Sequence, residues 1–298
     1  MDEQKQTVSP VKHKNLAMVC ILLAGSLWGC LGLFNRNLSA LGIAPETVVM
    51  LRNLGACAIL ALIFLFYDRS IFRIRLKHIP LFLCSGLVSI LFFTLCYFRS
   101  QQVSSLAVAA ILLYTAPTFV VILSAIIWKD KITKRKLIAL VIAFLGCCFV
   151  AGILNGQLTV TTEGLLLGIG SGLFYSSYTI FGRLALQHYQ PFTVTFYTFL
   201  IAGIGSLFMT NTQDLATTFH SPTGILLSLG LMLLGTVFPY LLYTKGLNDL
   251  GDSGKASILA SIEPVVASLV GIAAFGEPMT LGVLLGLVCI LVSVYILR

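Results

Sequence analysis

The sequence predicts an all-α polytopic membrane protein with ten transmembrane helices arranged as two inverted five-helix repeats. Three observations predict this class: an apolar composition, ten apolar runs of spanning length, and residue pairs that recur at one spacing in the two halves. Of the 298 residues, 58% are hydrophobic and only 10% are charged, whereas a soluble domain usually carries about 25% charged residues. The mean hydropathy of +0.98 therefore excludes a soluble domain.

A helix that crosses the hydrocarbon core needs about 20 mainly apolar residues. Because lipid offers no hydrogen-bond partner to an open backbone, each long apolar run is predicted to be helical. The first run is not followed by a small-residue cleavage pattern, so we expect it to be retained as a helix. The ten predicted helices cover residues 15–34, 45–67, 79–99, 103–127, 135–154, 163–185, 191–209, 223–245, 253–275 and 278–297.

The distribution of Lys and Arg predicts the orientation of the chain. With the N-terminal tail (residues 1–14) in the cytoplasm, that side holds sixteen of the nineteen Lys and Arg residues. Arg36 and Arg99 lie on the opposite side, and Arg52 lies inside a span. Cytoplasmic loops are enriched in this way, so we expect a multi-pass plasma-membrane protein with both termini cytoplasmic. The same bias explains the net charge of +8 without a nucleic-acid partner.

Residue pairs at a spacing of 146 or 147 indicate an internal repeat. They divide the chain into a first repeat, residues 15–154, and a second repeat, residues 163–298. Because five helices is an odd number, the second repeat must cross the membrane in the opposite sense, as in secondary transporters whose substrate sites lie near the midplane. The pairs 147 apart are Asp130 and Glu277, Thr133 and Thr280, and Pro117 and Pro264; those 146 apart are Pro45 and Pro191, Tyr97 and Tyr243, and Arg99 and Lys245.

Two longer segments resemble a known signature. SSLAVAAILLYTAPTFVVILSAIIWKDKIT and DSGKASILASIEPVVASLVGIAAFGEPMT are similar to the region from the fourth to the fifth helix of the EamA family in the drug/metabolite transporter superfamily, and AGSLWG resembles the start of its first helix. The resemblance covers essentially the whole chain and implies a secondary transporter. LLYTAPTF and SIEPVV are most similar to members that export amino acids such as threonine and homoserine. Lys129 and Asp130 depart from the usual Gly-Glu, which the second copy keeps.

Glu263 is the one acid of eleven that the predicted helices place deep in the membrane. A charged group at that depth costs roughly 2.5–3.5 kcal/mol on insertion scales, and loss of solvation disfavours the charged form. We therefore expect Glu263 to exchange a proton or bind a cationic amine, as a substrate-binding and coupling residue. The alternative is an acid that ties two helices together. Pro264 and Pro117 are predicted hinges, because proline removes a backbone hydrogen bond.

Arg52, inside the second predicted helix, is the expected counter-charge to Glu263. If Arg52 binds a carboxylate while Glu263 faces an amine, a zwitterion fits between them. The alternative is a structural ion pair, or a side chain that reaches back to the interface.

Aromatic and hydroxyl side chains inside the predicted spans suggest the rest of a substrate cavity. A tyrosine deep in a span needs a hydrogen-bond partner, which a wet cavity or a neighbouring helix can provide. For a single tyrosine, core packing is the alternative; as a set they favour a cavity. The predicted substrate-binding residues besides Glu263 and Arg52 are Trp28, Tyr97, Tyr114, Thr115, Tyr175, Tyr178, Tyr240 and Ser261.

Neither a metal site nor a cofactor is expected. The eight cysteines lie in apolar runs without C-x-x-C spacing or nearby histidines, which favours buried thiols that fill space. The four histidines lie at span ends or in tails, and the chain has no H-E-x-x-H, P-loop or G-x-S-x-G motif. Chemistry would need such a constellation, so an enzyme is not expected, and a channel usually needs symmetric pore rings.

The sequence therefore predicts a secondary active transporter that exports a small polar metabolite, an amino acid or a related amine, by alternating access coupled to protons. The alternatives are a multidrug, nucleoside or sugar carrier of the same fold. The expected partners are the small-molecule substrate, protons and the lipid bilayer. A homodimer is possible through Gly282-x-x-x-Gly286, although such small-residue spacing serves equally for packing within one bundle.

Overall fold

The regular secondary structure of the described residues is entirely helical. The computed structural model describes residues 12–155 and 160–297. The first half contains α1 (Lys12–Gly29), α2 (Leu31–Ala40), α3 (Pro45–Tyr67), α4 (Ile79–Leu83), α5 (Phe93–Val103), α6 (Leu106–Leu113), α7 (Ala116–Trp128) and α8 (Lys134–Val150). The second half contains α9 (Thr162–Leu186), α10 (Pro191–Leu207), α11 (Thr212–His220), α12 (Pro222–Met232), α13 (Phe238–Leu250), α14 (Ser253–Ala260), α15 (Glu263–Phe275) and α16 (Leu281–Leu297).

Seven helical stretches in these ranges are long and apolar enough to cross a membrane, and α10 and α16 are shorter apolar helices. Several combine two labelled helices, such as α1 with α2 and α6 with α7. Much of the outer surface is apolar: Phe66, Phe208 and Leu226 are 84%, 90% and 71% exposed. Such a surface is stable only against lipid, so the chain is a multi-pass membrane protein.

Two helical regions differ most from the predicted runs. The first span continues through α2 to Ala40, six residues beyond the predicted end at residue 34. The helix α11 lies in a segment that the apolar pattern left as a connection, because its sequence TQDLATTFH is mostly polar. Its Asp214 carboxylate accepts hydrogen bonds from the Ala44 backbone N–H at 3.0 Å and from the Thr47 hydroxyl at 2.9 Å. These bonds fix α11 to the start of α3.

Helices of the first half pack mainly on helices of the second. The most extensive contacts join α1 with α13, α3 with α10, α5 with α9 and α8 with α16. In addition, α6 and α7 pack on α9, while α14 and α15 pack on α1. The space between the halves is therefore bordered by both.

In each half, one long helix is interrupted next to a proline. Residues 114 and 115 separate α6 from α7, and residues 261 and 262 separate α14 from α15. Pro117 and Pro264 lie in the first turn of α7 and α15. Proline is tolerated there because a backbone N–H in the first turn has no hydrogen-bond partner within the helix. The predicted hinges thus coincide with breaks in the helices.

The π-helical segments also occur once in each half, at Cys84–Phe92 and Leu233–Val237. Such π-helical turns are rare in proteins, but those that occur are often found at functional sites. Together with the breaks, they bring backbone irregularities to the middle of the bundle.

The contact between α8 and α16 depends on glycine. A Cβ at Gly286 would lie 2.7 Å from the Gly146 carbonyl oxygen, and one at Gly282 would lie 2.8 Å from the Phe149 carbonyl oxygen. These distances are too short for a side chain, so the helices approach as closely as only glycine allows. The Gly282-x-x-x-Gly286 motif therefore packs within one chain.

We expect Gly286→Val to destabilise the protein by about 1–3 kcal/mol, because the added carbons must displace the α8 backbone. Thermal unfolding in detergent measures this loss as a lower midpoint. Gly32→Val is the matched control, since a Cβ at Gly32 would meet no atom within 4 Å. Equal midpoints for Gly286→Val and the parent protein would contradict the packing argument.

Candidate functional site

A cavity of about 500 Å³ lies between the two halves. Its volume falls within the range of about 300–1,000 Å³ that is typical of small-molecule sites. The walls come from seven parts of the chain, so no single helix defines the cavity. The lining residues are Trp28, Leu31, Asn35, Arg36, Ser39, Pro45, Val48, Val49, Arg52, Phe93, Thr94, Tyr97, Phe98, Leu113, Tyr114, Tyr175, Tyr240 and Glu263.

The cavity opens toward one end of the bundle. Its lining extends to Arg36 and Ser39, which are exposed near the end of α2. We call this end the Arg36 face. The opposite end, the Arg183 face, is where α9 ends: there the Tyr189 hydroxyl accepts a hydrogen bond from the Arg75 backbone N–H, in the loop that follows α3, at 2.9 Å.

Glu263 lies where the wide cavity meets a much smaller one. It is the first residue of α15, and its side chain is partly exposed and lines both cavities. The positive end of the helix dipole favours a negative charge at this position. The smaller cavity has a volume of about 30 Å³, room for about two water molecules at roughly 10–15 Å³ each. The acid therefore has access to space that water can fill.

Arg52 and Tyr175 line the same wide cavity as Glu263. Within the described residues, however, neither Glu263 nor Arg52 takes part in an ion pair. The Arg52 Nε and the Trp28 Nε1 are buried, and no hydrogen-bond partner for them lies among the described residues. A buried donor without a partner costs about 1–3 kcal/mol, so these groups favour a polar ligand or water in the cavity.

An aromatic layer closes the cavity toward the Arg183 face. The Trp28 ring lies 5.0 Å from the Tyr240 ring and 5.3 Å from the Tyr243 ring. The Tyr240 ring also lies 5.1 Å from that of Tyr178. Two hydroxyl pairs reinforce the layer, Tyr178 with Thr244 and Thr179 with Tyr243, each at 2.8 Å. The wide cavity therefore reaches only the Arg36 face.

The structure brings most of the predicted site residues together. Trp28, Arg52, Tyr97, Tyr114, Tyr175, Tyr240 and Glu263 line the wide cavity. The smaller cavity adds Tyr178, Ser261 and Pro117. Ala116, 147 residues before Glu263, also lines the smaller cavity, so only one half carries an acid at this position.

Thr115 does not fit the prediction that it binds substrate. Its hydroxyl donates to the Leu112 carbonyl at 2.6 Å and faces Gly172 on α9. It lines neither the wide nor the small cavity, because the break between α6 and α7 turns it toward α9 while Tyr114 faces the cavity.

Asn35 and Ser39 are lining residues that the sequence interpretation missed. Both lie on α2, beyond the predicted end of the first helix, and were assigned to a loop. The signal was present: Trp28, Leu31, Asn35 and Ser39 follow a spacing of three or four residues, which places them on one helix face. Extending the helical period past residue 34 would have found them.

The chain belongs to the EamA-like transporter family, whose sequence model matches residues 15–152 and 162–298. It is therefore a membrane transporter, and the relatives below are likewise named as transporters. An uncharacterized transporter of Archaeoglobus fulgidus is 27% identical, with 93% of this chain and 97% of the relative covered. The uncharacterized transporter YyaM of Bacillus subtilis is 26% identical, over 95% of this chain and 93% of the relative.

A crystal structure of another protein shares the fold, with a TM-score of 0.78 and 16% identity. The match covers 94% of this chain and 95% of that one. At this identity the likeness concerns the arrangement of helices alone.

We expect Leu31→Cys to react with a small membrane-impermeant thiol reagent added from the Arg36 face, because Leu31 lines the wide cavity. Leu38→Cys is the matched control on the same helix, since Leu38 is 0% exposed in the described structure. Mass spectrometry of the labelled protein measures both rates, with the parent protein and its native cysteines as background. Equal rates for the two variants would show that the cavity is not open to water.

Proposed function

We propose that this transporter exports a small polar metabolite, an amino acid or a related amine, by alternating access coupled to protons. The observation that carries the proposal is the placement of Glu263 and Arg52 on two different helices around one cavity, with no ion pair between them among the described residues. Two opposite charges that face a wet space, rather than each other, are arranged to bind a ligand that carries both.

A zwitterion matches these walls. The Arg52 guanidinium is suited to a carboxylate, which it can bind through two parallel hydrogen bonds. The ammonium group of the same ligand would face Glu263, with the Tyr175 and Tyr240 rings near enough to the site to favour a cation. The cavity volume suits a ligand of amino-acid size.

We further propose that ten helices cross the membrane as two inverted repeats, residues 15–154 and 163–298. The packing pairs support this: exchanging α1 for α9, α3 for α10, α5 for α13 and α8 for α16 leaves the main contacts unchanged. Each half also has one proline-associated break and one π-helical segment. Because the wide cavity reaches one face, transport requires a second conformation that opens to the other. With both termini cytoplasmic, the Arg36 face is extracellular.

Competition for Glu263 provides the coupling. One carboxylate can hold a proton or neutralise an ammonium group, but not both. A proton that arrives from the extracellular side would release the amine there, and loss of that proton to the cytoplasm would restore the binding site. The chain has no nucleotide-binding motif, so an ion gradient is the energy source that this site can use.

The alternative substrate class is a flat ring, as in a multidrug or nucleoside carrier. Aromatic side chains around the cavity favour stacking with such a ring. They belong to Trp28, Tyr97, Tyr175 and Tyr240. A thermal-shift screen of the purified protein against amino acids, amines, sugars and nucleosides separates the classes, because a bound ligand raises the unfolding midpoint.

We expect Glu263→Gln to abolish transport driven by a pH gradient while leaving substrate counterflow without a gradient measurable, because the amide cannot exchange a proton. Flux in proteoliposomes measures both. Glu163→Gln is the control, since Glu163 pairs with Arg99 at 3.0 Å and both side chains are 55% exposed. Full gradient-driven flux in Glu263→Gln would eliminate its coupling role.

We expect Arg52→Gln to weaken binding of an amino acid by about 10- to 100-fold, the loss of one charged hydrogen-bonding partner at about 1.5–3 kcal/mol. The corresponding decarboxylated amine should bind with unchanged affinity, because it has no group for Arg52. Arg99→Gln removes a cation that does not line the cavity and serves as control. Equal losses for the amino acid and the amine would reject the zwitterion arrangement.

A further inference from the structure

Arg183, in the last turn of α9, forms a compact cluster with the end of α7. Its guanidinium pairs with the Asp130 carboxylate, with Nη2 donating to Oδ1 at 3.2 Å. The same guanidinium lies over the Trp128 ring, 4.3 Å from its centre. We call these three residues the Arg183 cluster.

A second cluster repeats this chemistry at the Arg36 face. Arg36, in α2, pairs with Glu277, which follows α15, and lies over the Phe275 ring, 4.7 Å from its centre. We call these residues the Arg36 cluster. Each of its three members differs by 147 positions from its counterpart in the Arg183 cluster. The two clusters are therefore equivalent through the repeat: each joins an arginine of one half to an acid and an aromatic residue of the other half, at opposite ends of the bundle.

The two clusters differ in burial. The Arg183 and Asp130 side chains are 19% and 18% exposed, whereas those of Arg36 and Glu277 are 54% and 40% exposed. An ion pair in a less polar environment is stronger, while exposed pairs contribute little. In this conformation the Arg183 cluster is the tighter of the two.

Arg183 also reaches a third helix. Its Nη1 donates to the Ser253 hydroxyl at 3.2 Å, and Ser253, the first residue of α14, is fully buried. The position that corresponds to Ser253 in the first half is Leu106, the first residue of α6, which is 68% exposed. Arg183 thus joins α9, α7 and α14, whereas Arg36 joins α2 only to the end of α15.

Helix packing differs in the same direction. At the Arg183 face, α7 packs along α14, with Gly254 against Val121. Among the described residues, α15 and α6, which correspond to α7 and α14, make no contact of comparable extent. The Arg183 face is therefore closed, and the cavity opens at the Arg36 face where the equivalent contact is lacking.

We propose that Arg36 and Arg183 are positioning residues of the transport cycle, each holding one face of the cavity closed in turn. The proposal rests on the alternating access proposed above. When the Arg36 face closes, Arg36 and its cluster become buried against the start of α6, as Arg183 now is against α14. Arg183 then loses its contact with Ser253, and α7 separates from α14.

A further ion pair favours the conformation seen here. The Lys136 Nζ lies 2.8 Å from the Asp252 carboxylate and joins α8 to the start of α14, with the Lys136 side chain 8% exposed. Val283 corresponds to Lys136 and Ser105 corresponds to Asp252 through the repeat. This pair therefore has no counterpart at the Arg36 face. The Lys136–Asp252 pair therefore stabilises closure of the Arg183 face through a contact that the corresponding residues cannot form at the Arg36 face.

Two reporters test the proposal by thiol labelling from the two sides. Leu31→Cys reports access from the Arg36 face, and Ser257→Cys, which lines the small cavity, reports access from the Arg183 face. We expect Asp130→Asn to slow labelling of Leu31→Cys and to speed labelling of Ser257→Cys, so that the ratio of the two labelling rates falls about fivefold, as a shift of about 1 kcal/mol produces. Glu277→Gln combined with Asp130→Asn should return both rates toward those of the parent, because both faces lose one ion pair.

Asp130→Glu keeps a carboxylate at this position, like Glu277 at the corresponding position of the second half, and should give the parent rates. Glu163→Gln, which breaks the exposed pair with Arg99, should leave them unchanged. Two results would overturn the proposal and indicate instead that the helices pack more loosely at both faces. One is faster labelling of both reporters in Asp130→Asn. The other is a double variant whose rates differ from those of the parent more than the rates of either single variant do.

Labelling of the two reporters in the parent protein distinguishes a failure of this proposal from a failure of the transport mechanism. A saturating concentration of the amino acid or amine that gives the largest thermal shift should change the labelling rates of Leu31→Cys and Ser257→Cys, each made in the parent protein, in opposite directions. If the two rates change in opposite directions but Asp130→Asn affects neither of them, alternating access is supported and the proposed role of the two arginines is rejected. If the parent reporters never respond to substrate or to a pH gradient, the proposed function fails first.

Discussion

A carboxylate can be kept in the middle of a bilayer only where water or a counter-charge reaches it. Glu263 meets this condition because two sets of helices leave a space between them rather than packing to a solid core. The breaks in α6–α7 and α14–α15 and the aromatic layer lie around that space. Backbone groups left unpaired at the breaks would be costly in lipid and are tolerated beside a polar cavity.

Close approach elsewhere in the bundle makes this open space possible. Where α8 meets α16, glycine lets the backbones touch, and Gly25 and Gly172 allow the same approach of α1 and α9 to the broken helices. Dispersion contacts replace the hydrophobic effect as the source of stability between helices in lipid. The bundle can therefore be tight at its edge and hollow at its centre.

Much of this architecture could be predicted from the sequence, because the bilayer imposes length and polarity on each helix. The predicted run 45–67 coincides with α3, since Pro45 is suited to the first turn and Asp68 ends the apolar run. The break positions followed from Pro117 and Pro264. The polar helix α11 could not be found by apolar content, because its place depends on the bonds from Asp214 to α3.

The lining of the cavity was harder to predict than the helices. Tyr114 and Thr115 are adjacent and chemically similar, yet the break between α6 and α7 directs only the first to the cavity. Arg52 and Glu263 were identifiable because charge is rare in an apolar run. Phe93 and Leu113, which also line the cavity, carry no such signal, since a phenylalanine facing a cavity and one facing lipid are alike in sequence.

Ala116 stands in the first half where Glu263 stands in the second. In the transport cycle proposed above, two identical inverted halves would make the inward-open and outward-open forms equivalent by two-fold symmetry, with equal free energies. An ionisable group on one half only removes that equality, so the free-energy difference between the two forms depends on the protonation of one side chain. A change of pH alone can then shift the balance between the two forms.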